Sequence, residues 1–423
     1  MKIAIVGSGI SGLGAGWLLS PHHQVTLYEA GNYLGGHTNT VDVTLDGAMA
    51  PVDTGFLVHN DRTYPNLISL FATLGVRTVE SDMSFSVQLE SEGLEWAGSN
   101  LATVFAQPTN LVRPRFLGML RDILRFNAAA PRLLEETAGT DQSLGDLLEQ
   151  HRYGQAFRDW YLLPMGAAIW SSPTGAMLDF PAHSFLSFCH NHGLLQISDR
   201  PRWRTVAGGA RTYVERMAMS IGDIRLNTPV HRVERLGRGV RVVSADGEDW
   251  FDAIVMACHS DQSLALLGDA DADEARILGA VRYQPNRAVL HTDQSFLPRR
   301  KLAWSAWNFS SGLARPDGQP VAVTYLLNRL QPLPFKQPVM VTLNPHREPD
   351  DAKTLAAFDY AHPLLDGPAR WAQRALPTIQ GRRGTWFAGA WTGYGFHEDG
   401  FNSALAVATA LDARVTWQER AAA

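Results

Sequence analysis

The chain begins with two short apolar runs, and a segment with the periodicity of an α-helix lies between them. Lys2–Val6 is an apolar run of the length of a buried parallel strand, and residues 10–19 continue with a helix-like pattern. Gln24–Tyr28 is a second apolar run of the same kind. This order of strand, helix and strand predicts a parallel βαβ unit in this part of the fold.

Two later parts of the chain carry related patterns. Residues 228–233, 238–244 and 250–257 have the pattern of three successive strands, which predicts a meander that returns into a parallel strand. Residues 385–389 predict a strand that runs into a loop, and residues 397–411 predict a helix. These segments extend the first βαβ unit into a larger α/β domain.

The remaining segments predict a second domain. Residues 112–135 have a helical period, and residues 321–327 and 339–343 have the pattern of antiparallel strands. Because the blocks of the first domain are far apart in the sequence, the two domains must be interleaved. We predict an α/β domain of residues 1–75, 205–275 and 376–423 and an α+β substrate domain of residues 76–204 and 276–375.

The glycine-rich turn after the first strand predicts a phosphate-binding loop. Gly7 permits a tight turn, Gly9 lets the backbone approach a pyrophosphate, and Gly12 lets the helix pack closely on the strand. The N-terminus of this helix offers free N–H groups to phosphates. Glu29 ends the second strand, where a carboxylate accepts hydrogen bonds from ribose hydroxyls. The dinucleotide contacts predicted here are Gly7, Gly9, Ile10, Ser11, Gly12, Glu29 and Ala30.

A second glycine-rich loop follows at Gly35-Gly36-His37. It resembles the paired-glycine motif after the ribose-binding acid in the flavin amine oxidase and phytoene desaturase superfamily. That resemblance implies FAD as the cofactor, held by a Rossmann-like domain with a parallel sheet and a β-meander. It also implies cofactor contacts at Gly35, Gly36 and His37, although the superfamily usually has Arg or Lys at the position of His37. For paired glycines taken alone, a plain turn is the alternative.

Two further blocks share this resemblance. It implies that the backbone at Val230 meets the adenine end of FAD. Gly389 follows the late strand, and the superfamily sets the helix that carries Gly400 and Phe401 against the flavin ring, where the helix dipole stabilises negative charge. The superfamily often has an acid at the position of Ala390, so this chain departs from the usual contact with the ribityl chain.

The resemblance leaves three functions open. Residues 391–402 resemble a bacterial group of predicted NAD/FAD-binding proteins linked with modification of methyl-branched or cyclopropane fatty acyl chains. This favours an FAD-dependent oxidoreductase, a desaturase or dehydrogenase that acts on an apolar, lipid-like substrate. An amine oxidase acting on a small amine is one alternative, and a non-catalytic FAD-binding protein is the other. A second dinucleotide motif for NADPH is not found, so electrons are expected from the substrate.

The candidate catalytic residues are His397, Glu398 and His291. Loss of a hydride and a proton needs a base, and a histidine with its ordinary pKa of about 6.5 suits proton transfer near neutrality. The resemblance puts His397 at the place of a cage aromatic, with Glu398 next to it on the flavin's reacting face. His291 lies on the strand where amine oxidases often carry a lysine. A hydrogen bond to the flavin or to the backbone is the alternative role of His397.

Composition and charge limit the kinds of ligand and partner that this protein is expected to bind. The formal net charge of −5 gives no electrostatic case for nucleic acid. The two cysteines, Cys189 and Cys258, lack metal-ligand spacing, so we predict no metal site. The sequence has no stretch of about 18 apolar residues, the length typical of a transmembrane helix, so we predict no membrane-spanning segment. We predict a cytoplasmic protein that binds a small-molecule or lipid substrate, in an oligomeric state that the sequence leaves open.

Residues 111–134 combine basic and apolar side chains. The basic residues are Arg113, Arg115, Arg121, Arg125 and Arg132, and Asp122 is the one acid. Such a segment suits peripheral contact with an anionic lipid surface, here the inner face of the membrane. A solvated helix that packs on its own domain is the alternative.

Overall fold

The computed structural model describes residues 1–196, 199–237, 239–311 and 322–413. The strands are β1 (Lys2–Val6), β2 (Gln24–Tyr28), β3 (Thr40–Leu45), β4 (Ala48–Asp53), β5 (His59–Asn60), β6 (Thr78–Glu80), β7 (Phe85–Leu89), β8 (Leu94–Ala97), β9 (Trp203–Val206), β10 (Asp223–Arg225), β11 (Val230–Leu236), β12 (Gly239–Ser244), β13 (Gly247–Phe251), β14 (Ala253–Met256), β15 (Arg282–His291), β16 (Trp307–Ser311), β17 (Ala322–Leu326), β18 (Met340–Leu343), β19 (Thr354–Leu364) and β20 (Thr385–Phe387). The α-helices are α1 (Ile10–Leu19), α2 (Pro65–Leu74), α3 (Leu101–Val104), α4 (Pro114–Thr137), α5 (Leu144–Gln150), α6 (Gln155–Phe157), α7 (Leu163–Trp170), α8 (Ala182–Asn191), α9 (Arg211–Ala218), α10 (Ser260–Leu266), α11 (Ala272–Leu278), α12 (Leu327–Leu330), α13 (Gly367–Ala375) and α14 (His397–Ala410).

A parallel sheet with the strand order β10–β2–β1–β14–β20 forms the centre of the first domain. Both faces of the sheet are covered, which explains why β1 is apolar throughout. Ile3 and Ile5 pack on the side of α1 and α14, whereas Ala4 and Val6 pack on the side of the meander. The strands predicted at β1 and β2 and the helix between them are confirmed.

Helices α1 and α14 pack side by side on this sheet, and glycines allow the contacts. A Cβ on Gly12 would lie 1.8 Å from the carbonyl oxygen of Gly7, so only glycine lets α1 approach β1 this closely. A Cβ on Gly400 would lie 2.7 Å from Ile10 Cγ2, and the fully buried Phe401 packs against α1. The N-termini of both helices therefore lie at the same edge of the sheet.

The meander departs from the prediction at one point. Strands β11, β12 and β13 pair antiparallel as predicted. The pattern predicts one strand over residues 250–257, but β13 ends at Phe251 and β14 begins at Ala253. The chain turns at Asp252, whose N–H donates to Lys2 O and whose carboxylate accepts the N–H of Lys2. One apolar run therefore supplies two sheets, which periodicity alone does not reveal.

A mixed sheet with the order β19–β15–β18–β17–β16–β7–β8 forms the second domain together with helices α4 to α8. Strands β17 and β18 pair antiparallel as predicted, although Leu327 already begins α12 and residue 321 lies outside the described residues. Helix α4 begins at Pro114, later than predicted, because Pro108–Val112 forms a 3₁₀ turn and Pro114 takes the first helical position.

The two sheets draw on alternating parts of the chain. Strands of the parallel sheet come from three separate stretches, and strands of the mixed sheet come from the stretches between them. The β3–β4 hairpin packs Val43 and Val52 into the core of the mixed sheet, although it lies within residues 1–75. The domain boundaries stay a prediction. Within the described residues, each helix is too short or too polar to cross a bilayer.

Candidate active site

A cavity of about 700 Å³ opens where strands of the parallel sheet end. Its wall includes Gly7 after β1, Glu29 after β2, Ala257 after β14 and Gly389 after β20. Ligands of open parallel sheets bind at this edge. The cavity continues to the mixed sheet, where β16 and β17 line it. The segments that the sequence assigns to dinucleotide binding therefore meet at one site.

The first glycine turn forms an open cradle at the N-terminus of α1. Gly7, Gly9, Ile10 and Ser11 all line the cavity. Gly7 has a φ of +101°, which favours glycine. A Cβ built on Gly9 meets no described atom within 4 Å, so the space in front of the cradle is open to a ligand. Gly12 lies behind the cradle, at the contact of α1 with β1, and does not line the described cavity.

Glu29 stands beside the cradle at the end of β2. Its carboxylate accepts hydrogen bonds from Ser8 N at 2.9 Å, Ser8 Oγ at 2.6 Å and Gly31 N at 2.7 Å. These bonds hold the carboxylate at the cavity wall, where a ribose hydroxyl would find an acceptor. Ala30 follows in the same wall.

The second glycine loop lies against the first. Gly35 and Gly36 line the cavity, and a Cβ on Gly36 would lie 3.2 Å from Gly9 Cα. His37 follows in the wall, stacked on Tyr360 at 4.8 Å, and its Nε2 is buried without a hydrogen-bond partner among the described residues. Burial lowers the pKa of His37 well below its ordinary value. A neutral imidazole therefore stands where the superfamily usually has a permanent cation.

Two later residues extend this wall. Val230 at the start of β11 and Gly389 after β20 both line the cavity. Ala390 lines it as well and offers no polar side chain. The indole Nε1 of Trp391 is buried at this turn and has no hydrogen-bond partner among the described residues. The Trp391 N–H is therefore a hydrogen-bond donor next to Ala390, the position where the superfamily that the sequence resembles often has an acid.

These features fit a bound dinucleotide. The open cradle at a helix N-terminus suits a pyrophosphate, and the Glu29 carboxylate suits a ribose. Two buried polar atoms on the wall, His37 Nε2 and Trp391 Nε1, lack partners among the described residues, as expected of atoms that meet a ligand. FAD would be held by the two glycine loops, Glu29 and the turn at Gly389, and it would supply a hydride acceptor.

His397 lines the cavity at the start of α14. Its ring stacks on Phe56 with centroids 3.7 Å apart, and its Nε2 lies 2.9 Å from Thr38 Oγ1 and 3.1 Å from Tyr213 OH. Burial, and to a smaller extent the nearby His59, lower the pKa of His397 from 6.5 to about 3. The expectation of an ordinary histidine pKa is therefore wrong for this residue, which is a neutral imidazole at neutral pH.

Glu398 points away from this cavity. Its carboxylate accepts the backbone N–H groups of Asn66 and Leu67, both at 2.9 Å, at the N-terminus of α2. The side chain lines a neighbouring cavity of about 530 Å³ instead. Its expected place on the flavin's reacting face is therefore corrected: Glu398 caps one helix and ties it to α14.

His291 lines neither of the two described cavities. It ends β15 and is fully buried. Both ring nitrogens are used within the fold, because Asp293 N donates to Nδ1 at 3.1 Å and Nε2 lies 2.7 Å from Thr342 Oγ1. We therefore remove His291 from the candidate bases. Gly400 and Phe401 are also off the described cavity wall, because they form the contact between α14 and α1.

The half of the cavity away from the glycine loops is apolar. Its apolar side chains are those of Leu57, Val58, Met83, Ile169, Trp170, Phe188, Leu194, Trp203, Trp307, Tyr325 and Leu343, and His192 stands beside Phe188 among them. Among the described residues that line the whole cavity, Glu29 is the one carboxylate, and none is Lys or Arg. The apolar half therefore suits an uncharged ligand.

His192 is a wall residue that sequence reasoning missed. It follows α8, lines both described cavities and stacks on Phe188 at 3.9 Å. Burial lowers its pKa to about 4, so the neutral form prevails at neutral pH. Its Nδ1 lies 2.9 Å from Phe188 O, and because a carbonyl only accepts, Nδ1 carries the proton and Nε2 is an acceptor. No motif marks this histidine, because its burial and its partner arise from the fold.

Other site residues also lack a sequence signal. They surround His397 and His37: Thr38, Phe56, Tyr213, Tyr360 and His362. Their positions span more than 300 residues of the chain. Spacing along the sequence therefore could not have grouped them.

Acid is expected to destabilise the folded protein, because several buried histidines must take up protons. The pKa is lowered to about 3 for His397 and to about 4 for His59, His192, His291 and His362, in each case by burial first. The unfolded chain titrates these groups near 6.5, so it binds more protons than the folded chain below that pH, and stability falls as the pH drops toward 4. Burial raises the pKa of Asp53 and Asp399 to about 6, which opposes this trend below pH 6, whereas the lowered pKa values of His37 and His259 add to it.

Thermal unfolding between pH 7.5 and pH 4.5 checks this expectation. We expect the Tm to fall by roughly 10 °C over this range. His59→Phe is the matched variant, since the ring packs against Phe71 at 5.3 Å and its Nδ1 has no partner among the described residues. This variant should lose less stability in acid than the wild type. A Tm that stays constant over the range would contradict the buried, neutral state of the histidines.

Comparison with known proteins identifies relatives of this chain. A sequence model of the flavin containing amine oxidoreductases matches residues 10–412. The carotenoid phi-ring synthase of Streptomyces griseus is 27% identical over 321 residues, which are 70% of this chain and 59% of that protein. The match thus spans less than two thirds of the synthase.

Two solved structures resemble this one closely in fold. A CLA-producing fatty acid isomerase from P. acnes has a TM-score of 0.68 at 16% identity, over 96% of this chain and 98% of that chain. Putrescine oxidase bound to putrescine has a TM-score of 0.68 at 17% identity, over 98% of this chain and 100% of that chain. At these identities the likeness concerns the fold alone, and it confirms the predicted α/β class.

The family model covers almost all of the chain, including both glycine loops and α14. A flavin-containing family implies the FAD cofactor that the sequence predicts, and it sets aside the alternative of a non-catalytic protein. This chain belongs to the flavin-containing amine oxidoreductase family and is an FAD-dependent oxidoreductase.

Proposed function

We propose that this oxidoreductase is a desaturase or dehydrogenase that removes a hydride and a proton from an apolar, lipid-like substrate. The uncharged, apolar half of the cavity carries the proposal. A hydrocarbon chain gains roughly 25 cal/mol for each Å² buried against such a wall, whereas a charged group would lose its hydration without a partner. Within this class, we favour a methyl-branched or cyclopropane fatty acyl chain.

The relatives support a lipid-like substrate without naming one for this chain. The carotenoid phi-ring synthase and the CLA-producing fatty acid isomerase are both named for lipid-like molecules. The first shares sequence with this chain and the second shares its fold. This support is consistent with the apolar wall but independent of it.

His192 is our candidate for the residue that takes the proton. When bound, FAD supplies the hydride acceptor, so the chain itself must hold the proton. His192 stacks on Phe188 in the apolar half, and its Nε2 is an acceptor because Nδ1 donates to Phe188 O. Its lowered pKa of about 4 keeps the imidazole unprotonated at neutral pH but makes it a weaker base than an ordinary histidine. The Nε2 of His397 is instead hydrogen-bonded to Thr38 and Tyr213, which makes His397 a positioning residue in this proposal.

A small amine is the alternative substrate. Putrescine oxidase has the same fold, and its structure holds putrescine. An alkyl ammonium group keeps its charge at neutral pH, since amines of this kind titrate near 10. Among the described residues of the apolar half, none offers a carboxylate to such a cation. The wall therefore disfavours this alternative.

Anaerobic titration of the FAD-loaded protein tests the proposal. We expect the visible flavin absorption to bleach with a methyl-branched or cyclopropane fatty acyl lipid, and to stay unchanged with putrescine or NADPH over minutes. Lipid profiling of cells with and without the gene then identifies the acyl chain that changes. Bleaching by an amine and not by any lipid would overturn the proposal, and rapid bleaching by NADPH would point to a monooxygenase or reductase.

A further inference from the structure

A basic and apolar surface lies beside β8 at the edge of the mixed sheet. We define it as the basic rim, made by residues 101–104, 108–121 and 299–302. Its large apolar side chains are unusually exposed: Leu101 by 78%, Leu111 by 55%, Val112 by 81% and Leu302 by 55%. Single exposed apolar residues are ordinary on a protein surface, but several large ones on neighbouring segments mark a candidate interaction site.

The buried residue Glu95 on β8 connects two segments of the rim, 108–121 and 299–302, through hydrogen bonds. Its buried carboxylate accepts the N–H of Arg299 at 2.9 Å and of Arg300 at 3.3 Å. Its carbonyl oxygen accepts Asn110 Nδ2 at 3.2 Å. Helix α3 contacts the 3₁₀ turn Lys301–Ala303, over a small buried cluster of alanines. Two parts of the sequence that lie almost 200 residues apart, 101–121 and 299–302, are therefore held next to each other.

The rim is positively charged, although the whole chain has a formal net charge of −5. Its cations are Arg113, Arg115, Arg121, Arg299, Arg300 and Lys301, and its three segments contain no Asp or Glu. Neighbouring carboxylates neutralise part of this charge. Glu95 pairs with Arg300 at 3.0 Å, Glu92 lies 3.5 Å from Arg113 and 3.6 Å from Arg115, and Asp122, directly after the rim, lies 3.5 Å from Arg121. Cations still exceed carboxylates around the exposed apolar side chains.

We propose that the basic rim docks this enzyme on the surface of an anionic lipid bilayer. Exposed leucine and valine side chains enter the boundary of the acyl chains, while arginine and lysine bind the phosphate headgroups. An anionic bilayer offers an apolar layer beneath a layer of phosphates, and this combination matches exposed apolar side chains that stand among cations. The proposal goes beyond the oxidation chemistry and does not depend on it.

The structure shifts this contact relative to the sequence-based expectation of residues 111–134. The later part of α4 bonds to its own domain, since Arg125 donates to the carbonyls of His151 and Arg152 and Arg132 lies 3.3 Å from Glu136. Only the first part of α4 joins the rim, and the other members come from α3 and residues 299–302. The proposed contact therefore combines two parts of the chain and does not follow the whole of α4.

Vesicle sedimentation of the FAD-loaded protein tests the proposal. We expect binding to vesicles that contain phosphatidylglycerol, weaker binding at high salt, and little binding to pure phosphatidylcholine. Arg299→Gln with Lys301→Gln should weaken binding by roughly fivefold per removed charge. Leu101→Asp with Val112→Asp should weaken it by at least tenfold, because the inserting side chains are lost.

Met219→Asp is the matched control, since Met219 is 79% exposed outside the rim. It should bind vesicles like the wild type, and all variants should keep their FAD content and their flavin reduction by a dispersed substrate. Equal vesicle binding by the rim variants and the control would overturn the proposal, as would the absence of binding by the wild type. A concentration-dependent dimer that Val112→Asp dissolves, without vesicle binding, would assign the rim to a second copy of the chain instead.

Discussion

Gly9→Val is expected to give a folded protein that lacks FAD. Gly9 has an ordinary φ of −62°, and a Cβ there meets no described atom within 4 Å, so neither the backbone conformation nor a contact of the Cβ opposes a side chain at this position. The branched side chain would instead fill the cradle at the N-terminus of α1, where the pyrophosphate is expected. We expect FAD affinity to fall by roughly 100-fold or more, which corresponds to about 3 kcal/mol of lost binding.

Gly12→Val is the contrasting variant in the same turn. Its Cβ would lie 1.8 Å from Gly7 O, so we expect it to misfold and not merely to lose the cofactor. Visible absorption, circular dichroism and the flavin released on denaturation separate the two effects, and the wild type should release FAD and not FMN. A yellow, fully loaded Gly9→Val protein would count against this cradle as the pyrophosphate site.

His192→Phe is expected to slow substrate-driven flavin reduction by about 10²- to 10⁴-fold, the usual contribution of a general base. Phenylalanine keeps the stack on Phe188 but removes the Nε2 acceptor. FAD content should stay normal, because His192 stands in the apolar half of the cavity. Anaerobic stopped-flow reduction and flavin content, measured separately, distinguish a lost base from a lost cofactor.

The pH profile gives a second measure of the same residue. Because burial lowers the pKa of His192 to about 4, the base stays unprotonated at neutral pH, and the reduction rate should fall only as the pH drops toward 4. Rates are compared at pH values where the protein remains folded. His183→Phe is the control, because His183 lies in the first turn of α8, the helix that His192 follows, and lines neither described cavity. A profile that turns at 6.5, or normal reduction by His192→Phe, would exclude His192 as the base.

His397→Asn tests the candidate that the sequence favours. The substitution removes the ring that stacks on Phe56 and the nitrogen that faces Thr38 and Tyr213. If His397 only positions its neighbours, flavin reduction should slow less in His397→Asn than in His192→Phe. The pH at which the reduction rate falls should stay unchanged. A larger loss than that of His192→Phe would return the role of base to His397.

The sequence by itself determined the dinucleotide-binding half of the site. Gly7 and Gly9 form a tight turn before a helix. A turn and the start of a helix are both formed by residues that are neighbours in the sequence, so the sequence shows them directly. Glu29 could be found in the same way, because it ends the next strand. In the structure, all three line the cavity. A motif that is local in the chain stays recognisable without knowledge of the rest of the fold.

The roles of the candidate catalytic side chains were decided only by the tertiary structure. His397 and Glu398 are adjacent, yet one lines the cavity and the other caps α2, because successive side chains on a helix point about 100° apart. His291 is engaged by Thr342 on a neighbouring strand, and His192 became a candidate base only through its burial beside Phe188. The pKa and the accessibility of a side chain depend on groups that are close in space but distant in sequence, and the pattern along one chain does not encode which groups these are.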